Sequence, residues 1–134
     1  MEAYINIEEK TPEILNKAQK SISNNISIPF AFLFGSYAQG RETPLSDIDI
    51  AIYFNEMTED EKIEIEHGLF LAFDQQVNIL RLEDEDISPM VRLRALNGMA
   101  IVLNDKDFLN RFILSIIHRA SEAERVLERL RKIA

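Results

Sequence analysis

Apolar residues recur along the chain with two different periods, and these periods predict where strands and helices lie. The stretch Phe30–Phe34 is short, apolar and rich in aromatic residues, and it stops at a Gly-Ser pair, which is typical of a buried strand. From residue 47 to residue 54 apolar residues alternate with others, which predicts the clearest strand of the sequence. Two further strands are predicted over residues 76–82 and 100–103.

Helix signals separate these strands. The first three helices each have their own start signal, which is a Thr-Pro pair at Thr11, a capping box at Thr58 and a Ser-Pro pair at Ser88. A short helix is also expected to open at the Gly-Ser turn. The order of elements predicts an α/β (α+β) fold, in which helices pack on a small mixed sheet. The four main helices are predicted over residues 12–24, about 59–73, 89–97 and about 105–131.

The last predicted helix is longer than the small sheet requires. Its apolar residues step alternately by four and by three positions, which places them in one stripe along the helix. These residues are Leu109, Ile113, Ile116, Ala120, Ala123, Leu127 and Leu130. Because the stripe exceeds what the sheet can cover, we expect a partner to cover the rest, either a second copy of the chain in a homo-oligomer or another protein.

The composition fits one globular domain. The chain has 134 residues, of which 46% are hydrophobic and 28% are charged, so we expect residues 1–134 to form a single domain. The absence of cysteine excludes disulfides, thiolate zinc sites and cysteine nucleophiles. The acidic start and the short apolar runs are unlike a signal peptide or a membrane span, so we expect a cytoplasmic protein without a membrane partner.

The chain is acidic, and the excess is concentrated in one third of it. The formal net charge is -8, and residues 54–86 hold eleven acidic residues against two basic ones. Affinity for a nucleic-acid backbone comes from Lys and Arg, so this charge argues against direct nucleic-acid binding. A small anionic ligand would need a metal ion or a local positive dipole to bind such a protein.

Two aspartates share one face of the strand predicted over residues 47–54. Side chains two positions apart on a strand point the same way, so Asp47 and Asp49 project together, about 7 Å apart at the backbone. An isolated pair of this kind is more often a solvent-facing polar row. Here, however, Gly35 and Ser36 lie where a buried strand ends, and such a turn offers backbone N–H groups and a hydroxyl to phosphate. Together the two pairs predict a site for Mg²⁺ and phosphate, in which a pair of metal ions would align an attacking hydroxyl with phosphorus.

This combination resembles a known family. Gly35-Ser36, ten residues, and then Asp47-Ile48-Asp49 is similar to the G-S-x10-D-x-D signature of the DNA polymerase β-type nucleotidyltransferase superfamily, and specifically to the minimal nucleotidyltransferases of prokaryotes. The stretch from residue 93 to residue 112 also resembles the helix, strand and helix that close these small proteins. The resemblance therefore implies a nucleotidyltransferase fold over nearly the whole chain.

The resemblance implies a role for each matching residue. Gly35 and Ser36 would bind the triphosphate of ATP or another nucleoside triphosphate, and Asp47 and Asp49 would coordinate Mg²⁺ and act in catalysis. Arg41 follows Gly40, which matches a further glycine of the family, and is expected either to reach the phosphates or to be a solvated loop charge.

One position departs from the family pattern. The family usually places a third carboxylate on the next strand, where this chain has Asn78 between Val77 and Ile79. Asn78 therefore takes the place of the third catalytic group, although an amide is neutral and is no general base. Asp74 is a candidate substitute, but four residues of strand would separate it from that position by about 13 Å. Two nearby arginines, Arg92 and Arg94, are expected on an exposed helix surface.

The resemblance implies two functions and a weaker third. The first is an enzyme that transfers a nucleoside monophosphate, AMP from ATP, to a hydroxyl of a partner protein, because minimal nucleotidyltransferases resemble antitoxins whose toxin is a HEPN-domain ribonuclease. The second is a binding module that masks a HEPN partner without turnover, which Asn78 favours. Adenylylation of an antibiotic is the weakest of the three, because such enzymes usually carry an extra helical domain that this length does not allow.

Overall fold

A four-stranded sheet lies between two pairs of helices in the part of the chain that the structure describes. The structure is a computed structural model that describes residues 2–22, 25–38, 40 and 46–133, with side-chain surroundings from residue 11 onwards. The strands are β1 (Phe30–Phe34), β2 (Ile48–Ile52), β3 (Val77–Arg81) and β4 (Met99–Leu103). The helices are α1 (Glu2–Ile22), α2 (Glu59–Ala72), α3 (Pro89–Leu96) and α4 (Lys106–Ile133).

The sheet is mixed, as the sequence predicts. Its strand order is β3-β2-β1-β4, with β1 antiparallel to both of its neighbours and β2 parallel to β3. A parallel pair needs a crossover connection, and α2 supplies it between β2 and β3. The C-terminal end of β1 therefore lies beside the N-terminal ends of β2 and β3.

The alternation along β2 separates the two faces of the sheet. Ile48, Ile50 and Ile52 are buried in the cluster that includes α1 and α2. On the opposite face Ala51 is buried against residues of α3 and α4, whereas Asp49 on that same face is only half-buried. One end of this face is thus core and the other end remains accessible, which leaves room for a site at the start of β2.

The helix starts at Thr58 and Ser88 are confirmed, and the one at Thr11 is wrong. The Thr58 hydroxyl accepts a hydrogen bond from the Glu61 amide, while the Glu61 carboxylate accepts one from the Thr58 amide, which completes the capping box. The Ser88 side chain caps α3 in the same position. However, α1 begins at Glu2, so Pro12 lies inside the helix, where it removes one backbone donor and crowds the preceding turn.

Two smaller differences concern the ends of elements. The short helix expected after the Gly-Ser pair is a turn over residues 35–38, and the residues that would extend it at 39 and 41–45 lie outside the described ones. The predicted strand over residues 47–54 is shorter, because Asp47 and Tyr53 flank β2 instead of pairing within it. Both differences place the polar residues at strand ends, where side chains and backbone groups are accessible.

Helix α4 extends past the sheet. Its first half packs on the core through Phe108, Leu109, Phe112 and the buried Ile116. Every residue from 122 to 133 is exposed, including Leu127 at 52% and Leu130 at 55%. The apolar stripe therefore continues without cover beyond the domain core. Among the described helices, none has both the length and the apolar content that crossing a membrane requires.

Candidate active site

Strand register brings Asp49 and Asn78 side by side. Asp49 is the second residue of β2 and Asn78 is the second residue of β3, and the two are direct partners in the parallel register. On the other side of β2, Asp49 pairs with Phe34, the last residue of β1. The turn that begins at Gly35 therefore starts directly beside Asp49. Three chain segments that are distant in sequence meet at this end of the sheet.

The side chains of these segments contact one another. The side-chain nitrogen of Asn78, Nδ2, donates to Asp49 Oδ1 at 3.1 Å and to Asp47 Oδ2 at 3.3 Å. Asp47 and Asn78 are exposed and Asp49 is half-buried, so the cluster opens to solvent. The structure thus brings together the three residues that the sequence places in the catalytic group.

Gly35 lies against the carboxylate of Asp49. The backbone of Gly35 has φ +74°, in the left-handed region that favours glycine. A Cβ atom at this position would lie 2.2 Å from Asp49 Oδ2, so a side chain would collide with the carboxylate. Glycine is therefore required here both by the turn and by the close approach of Asp49. Ser36 follows in the same turn and is half-buried, whereas Arg41 lies outside the described residues.

Two glutamines that the sequence analysis missed support the site. Gln75 Nε2 donates to the hydroxyl of Tyr37 at 3.3 Å, and Tyr37 is the buried residue of the turn that begins at Gly35. Gln76 Nε2 donates to Asn78 Oδ1 at 3.2 Å. No local pattern marks either residue, because both act through side-chain contacts between segments. The only sequence signal was their position at the start of the third predicted strand, of which Gln76 is the first residue.

The donor set fits a divalent cation. Asp47 and Asp49 present carboxylate oxygens that lie within hydrogen-bonding distance of one nitrogen atom, and oxygen is the ligand that Mg²⁺ prefers. Among the residues that the structure describes, no group of three or more His, Cys, Asp and Glu side chains could hold a metal ion. Asp74 therefore does not join the pair as a third carboxylate, and the cluster offers two anionic ligands.

The expectation that Arg92 lies on an exposed surface is wrong. Arg92 is 3% exposed, it donates to the backbone carbonyl of Asp84, and its guanidinium lies 5.5 Å from the ring centroid of Phe112. It belongs to the packing between α3 and α4 because the acidic loop and the aromatic ring both stabilise its charge. Arg94 is exposed, as expected. These contacts give Arg92 a structural role.

The far end of β2 is also outside the site. Tyr53 lies on the same side of the chain as Asp49, but its ring packs on Phe108 with centroids 4.9 Å apart. Burial, followed by the nearby Glu83 carboxylate, raises the pKa of the Tyr53 hydroxyl, so it stays protonated at neutral pH. The Tyr53 end of this face therefore packs against α4, away from the cluster at Asp47, Asp49 and Asn78.

Fold and site together define a nucleotidyltransferase. The resemblance to the nucleotidyltransferases rests on one arrangement. In it, a strand is followed by a Gly-Ser turn, and two aspartates lie at the start of the neighbouring strand. The family model described as Polymerase beta, Nucleotidyltransferase matches residues 16–108. This protein belongs to that family.

Two archaeal relatives come from Methanocaldococcus jannaschii and carry the provisional name protein adenylyltransferase. One, MJ1379, is 46% identical over 44 residues, which are 33% of this chain and 44% of the relative. The other, MJ0126, is 33% identical over 69 residues, which are 51% of this chain and 70% of the relative. The chain thus spans less than half the length of the first relative and about two thirds of the second.

Solved structures share the fold over most of the chain. A crystal structure of a toxin-antitoxin pair with AMP-PNP contains a chain that is 25% identical, with a TM-score of 0.66, and the match covers 90% of this chain and 98% of that one. A structure of the tri-AMPylated HEPN toxin of Shewanella oneidensis in complex with its MNT antitoxin matches at 21% identity and a TM-score of 0.62, over 92% and 99% of the two chains. The second likeness shows the fold alone.

Proposed function

We propose that the protein transfers AMP from ATP to a hydroxyl of a partner protein, and that the partner is a HEPN-domain toxin which it neutralises as an antitoxin. The observation that carries this proposal is the placement of Asp47 and Asp49 beside the Gly35 turn. Family membership supports nucleotidyl transfer, and the provisional name of the archaeal relatives supports a protein as the acceptor.

In this proposal each residue of the cluster has a distinct task. The backbone N–H groups of the Gly35-Ser36 turn bind the phosphates, and the absence of a side chain at Gly35 lets the chain approach them closely. Asp47 and Asp49 would hold Mg²⁺, which when bound would neutralise the phosphate charge and make the α-phosphorus easier to attack. Without a cation these two carboxylates would repel a triphosphate, so we expect nucleotide binding to require a divalent metal.

The reaction is a substitution at phosphorus. The oxygen of the acceptor hydroxyl forms a bond to the α-phosphorus, the bond between that phosphorus and the bridging oxygen breaks, and pyrophosphate leaves. The hydroxyl proton must pass to a base. Asn78 cannot take it at neutral pH, because an amide has no suitable basic site. In this chain the proton therefore goes to one of the two aspartates, to solvent or to a group of the partner.

The exposed half of α4 supports the partner part of the proposal. Apolar side chains at Leu127, Leu130 and Ile133 lie uncovered on a segment that has left the domain core. A helix face of this kind is stable in water mainly when a second surface covers it. The similar solved structures contain an antitoxin with its toxin, and we infer that a HEPN protein covers this face.

A second candidate function rests on Asn78. With an amide in place of the third carboxylate, the protein would bind ATP and mask its partner without turnover. The two functions differ in one observable, which is a covalent bond between AMP and the partner.

The test uses the protein with its purified HEPN partner and ATP labelled either on the α-phosphorus or on the γ-phosphorus. We expect the partner to retain the α-label and not the γ-label, and Asp49→Asn to abolish the transfer. An exposed aspartate far from the site provides the control, since Asp107→Asn should leave the transfer intact. Retention of the γ-label would instead indicate transfer of the terminal phosphate, and no label with ATP still bound would favour the binding module.

A further inference from the structure

The side-chain amide of Asn78 lies between the carboxylates of Asp47 and Asp49. It takes the place of the third carboxylate that would share metal ions with these two. We propose that the site holds one divalent cation together with a nucleotide, and that Gln76 enforces this by orienting the amide of Asn78. This inference rests on the proposed function, because it assumes that Asp47 and Asp49 form the metal site.

The first observation is the direction of the Asn78 side chain. Its NH₂ group, and not its carbonyl oxygen, faces Asp47 and Asp49, with donor distances of 3.3 Å and 3.1 Å. An amide NH₂ group has no lone pair to offer a metal ion. In this orientation Asn78 contributes hydrogen bonds to the carboxylates and no ligand to a cation.

The second observation explains why the amide keeps this orientation. Rotation of the amide by half a turn would present Asn78 Oδ1 to a cation, but Oδ1 already accepts a hydrogen bond from Gln76 Nε2 at 3.2 Å. The backbone of Gln76 is held beside the start of β2, because its carbonyl accepts a hydrogen bond from the Ile48 amide at 2.9 Å. A flipped amide would lose all three of its hydrogen bonds. Gln76 is thus a positioning residue for Asn78.

The number of protein ligands in the cluster agrees with one cation. Asp47 and Asp49 are the carboxylates of the cluster, and among the described residues no third His, Cys, Asp or Glu side chain could join them in a metal site. Because the NH₂ group of Asn78 faces them, a second divalent ion would have to rely on the nucleotide, on water and on carboxylate oxygens that already hold the first.

The experiment counts bound Mn²⁺ by native mass spectrometry of the full chain with a non-hydrolysable ATP analogue. For the wild type we expect one Mn²⁺ per bound nucleotide. Asn78→Asp should bind two, and the electron paramagnetic resonance spectrum should then show a coupled Mn²⁺ pair. Asn110→Asp adds the same charge at an exposed position of α4, and it should still bind one.

Gln76→Leu tests the orienting role separately. Without its donor the Asn78 amide can rotate, so the occupancy of a second Mn²⁺ should rise above that of the wild type and stay below that of Asn78→Asp. A Gln76→Leu variant that matches the wild type would overturn the role of Gln76. Two Mn²⁺ ions in the wild type, or one in Asn78→Asp, would overturn the one-cation inference and leave the proposed transfer intact. Nucleotide bound without any Mn²⁺ would contradict the proposed function itself.

Discussion

Replacement of Gly35 by alanine tests whether the close contact between the Gly35-Ser36 turn and the Asp49 carboxylate is needed to bind the cation. The new Cβ atom would lie 2.2 Å from Asp49 Oδ2 and 3.1 Å from its Cγ, whereas Asp49 Cβ, at 3.4 Å, is at an ordinary contact distance. The carboxylate must therefore rotate away, while the backbone of β2 can stay in place. We expect Asp49 to lose the position from which it would hold the cation.

The cost of this substitution has two parts. A left-handed φ of +74° at a residue other than glycine costs roughly 1–2 kcal/mol. Displacing the Asp49 side chain from its rotamer adds about 0.5–1.5 kcal/mol. We therefore expect Gly35→Ala to lower the free energy of unfolding by about 1.5–3.5 kcal/mol. Loss of a charged ligand is worth at least about 1.4 kcal/mol of binding, so affinity for ATP with Mg²⁺ should fall tenfold or more.

Gly40 provides a matched control. Its φ is +68°, but a Cβ atom there would meet no atom of the described residues within 4 Å. Gly40→Ala should carry the backbone cost of roughly 1–2 kcal/mol without disturbing Asp49, and its nucleotide affinity should stay close to that of the wild type. Urea unfolding measures the stability of both variants, and titration calorimetry with ATP and Mg²⁺ measures binding. If the two variants bound ATP equally well, the contact between Gly35 and Asp49 would have no part in holding the cation.

Three further predictions concern the cap, the amide and the long helix. Thr58→Ala should lower the free energy of unfolding by about 1 kcal/mol in urea titrations at neutral pH. The Glu61 amide donates to the Thr58 hydroxyl at every pH, so most of this deficit should not depend on pH. Hydrogen bonds from the Thr58 backbone and side chain also lower the pKa of Glu61, so the part that involves its carboxylate is present above the unfolded pKa and fades as pH falls through the folded one; a deficit that grows in acid would contradict this. Asn78→Asp should raise the rate of AMP transfer by about 10² to 10⁴, measured with α-labelled ATP and the partner, and an unchanged rate would show that a third carboxylate is dispensable. Leu127→Glu together with Leu130→Glu should abolish co-purification with the partner while leaving the unfolding midpoint unchanged, and retained binding would place the interface elsewhere.

Local signals were sufficient for most of the secondary structure. The capping box at Thr58 and the Ser-Pro pair at Ser88 depend on neighbouring residues alone, so the sequence locates both helix starts. The pair at Thr11 failed because the residues before it are themselves helical, so Pro12 lies in the interior of α1, where it removes a backbone donor and crowds the preceding turn. A start signal is reliable only when the preceding segment favours another conformation.

The site was only partly visible in the sequence. Period-two alternation places Asp47 and Asp49 together without knowledge of the fold. The position of Asn78 next to Asp49 depends on the parallel register of β2 and β3, which periodicity does not determine, so the family resemblance had to supply it. No local sequence pattern predicts the hydrogen bond from Gln76 to Asn78 or the burial of Arg92, because both depend on how side chains pack in the folded protein.

The most direct test of the account is the location of metal and phosphate in crystals grown with Mn²⁺ and a non-hydrolysable ATP analogue. Anomalous scattering identifies Mn²⁺ without reference to the assumed chemistry. We predict a Mn²⁺ peak bonded to the carboxylates of Asp47 and Asp49, with the phosphates against the backbone of the Gly35-Ser36 turn. Nucleotide and Mn²⁺ bound together at any other surface of the protein would contradict the assignment of this cluster as the site of nucleotidyl transfer.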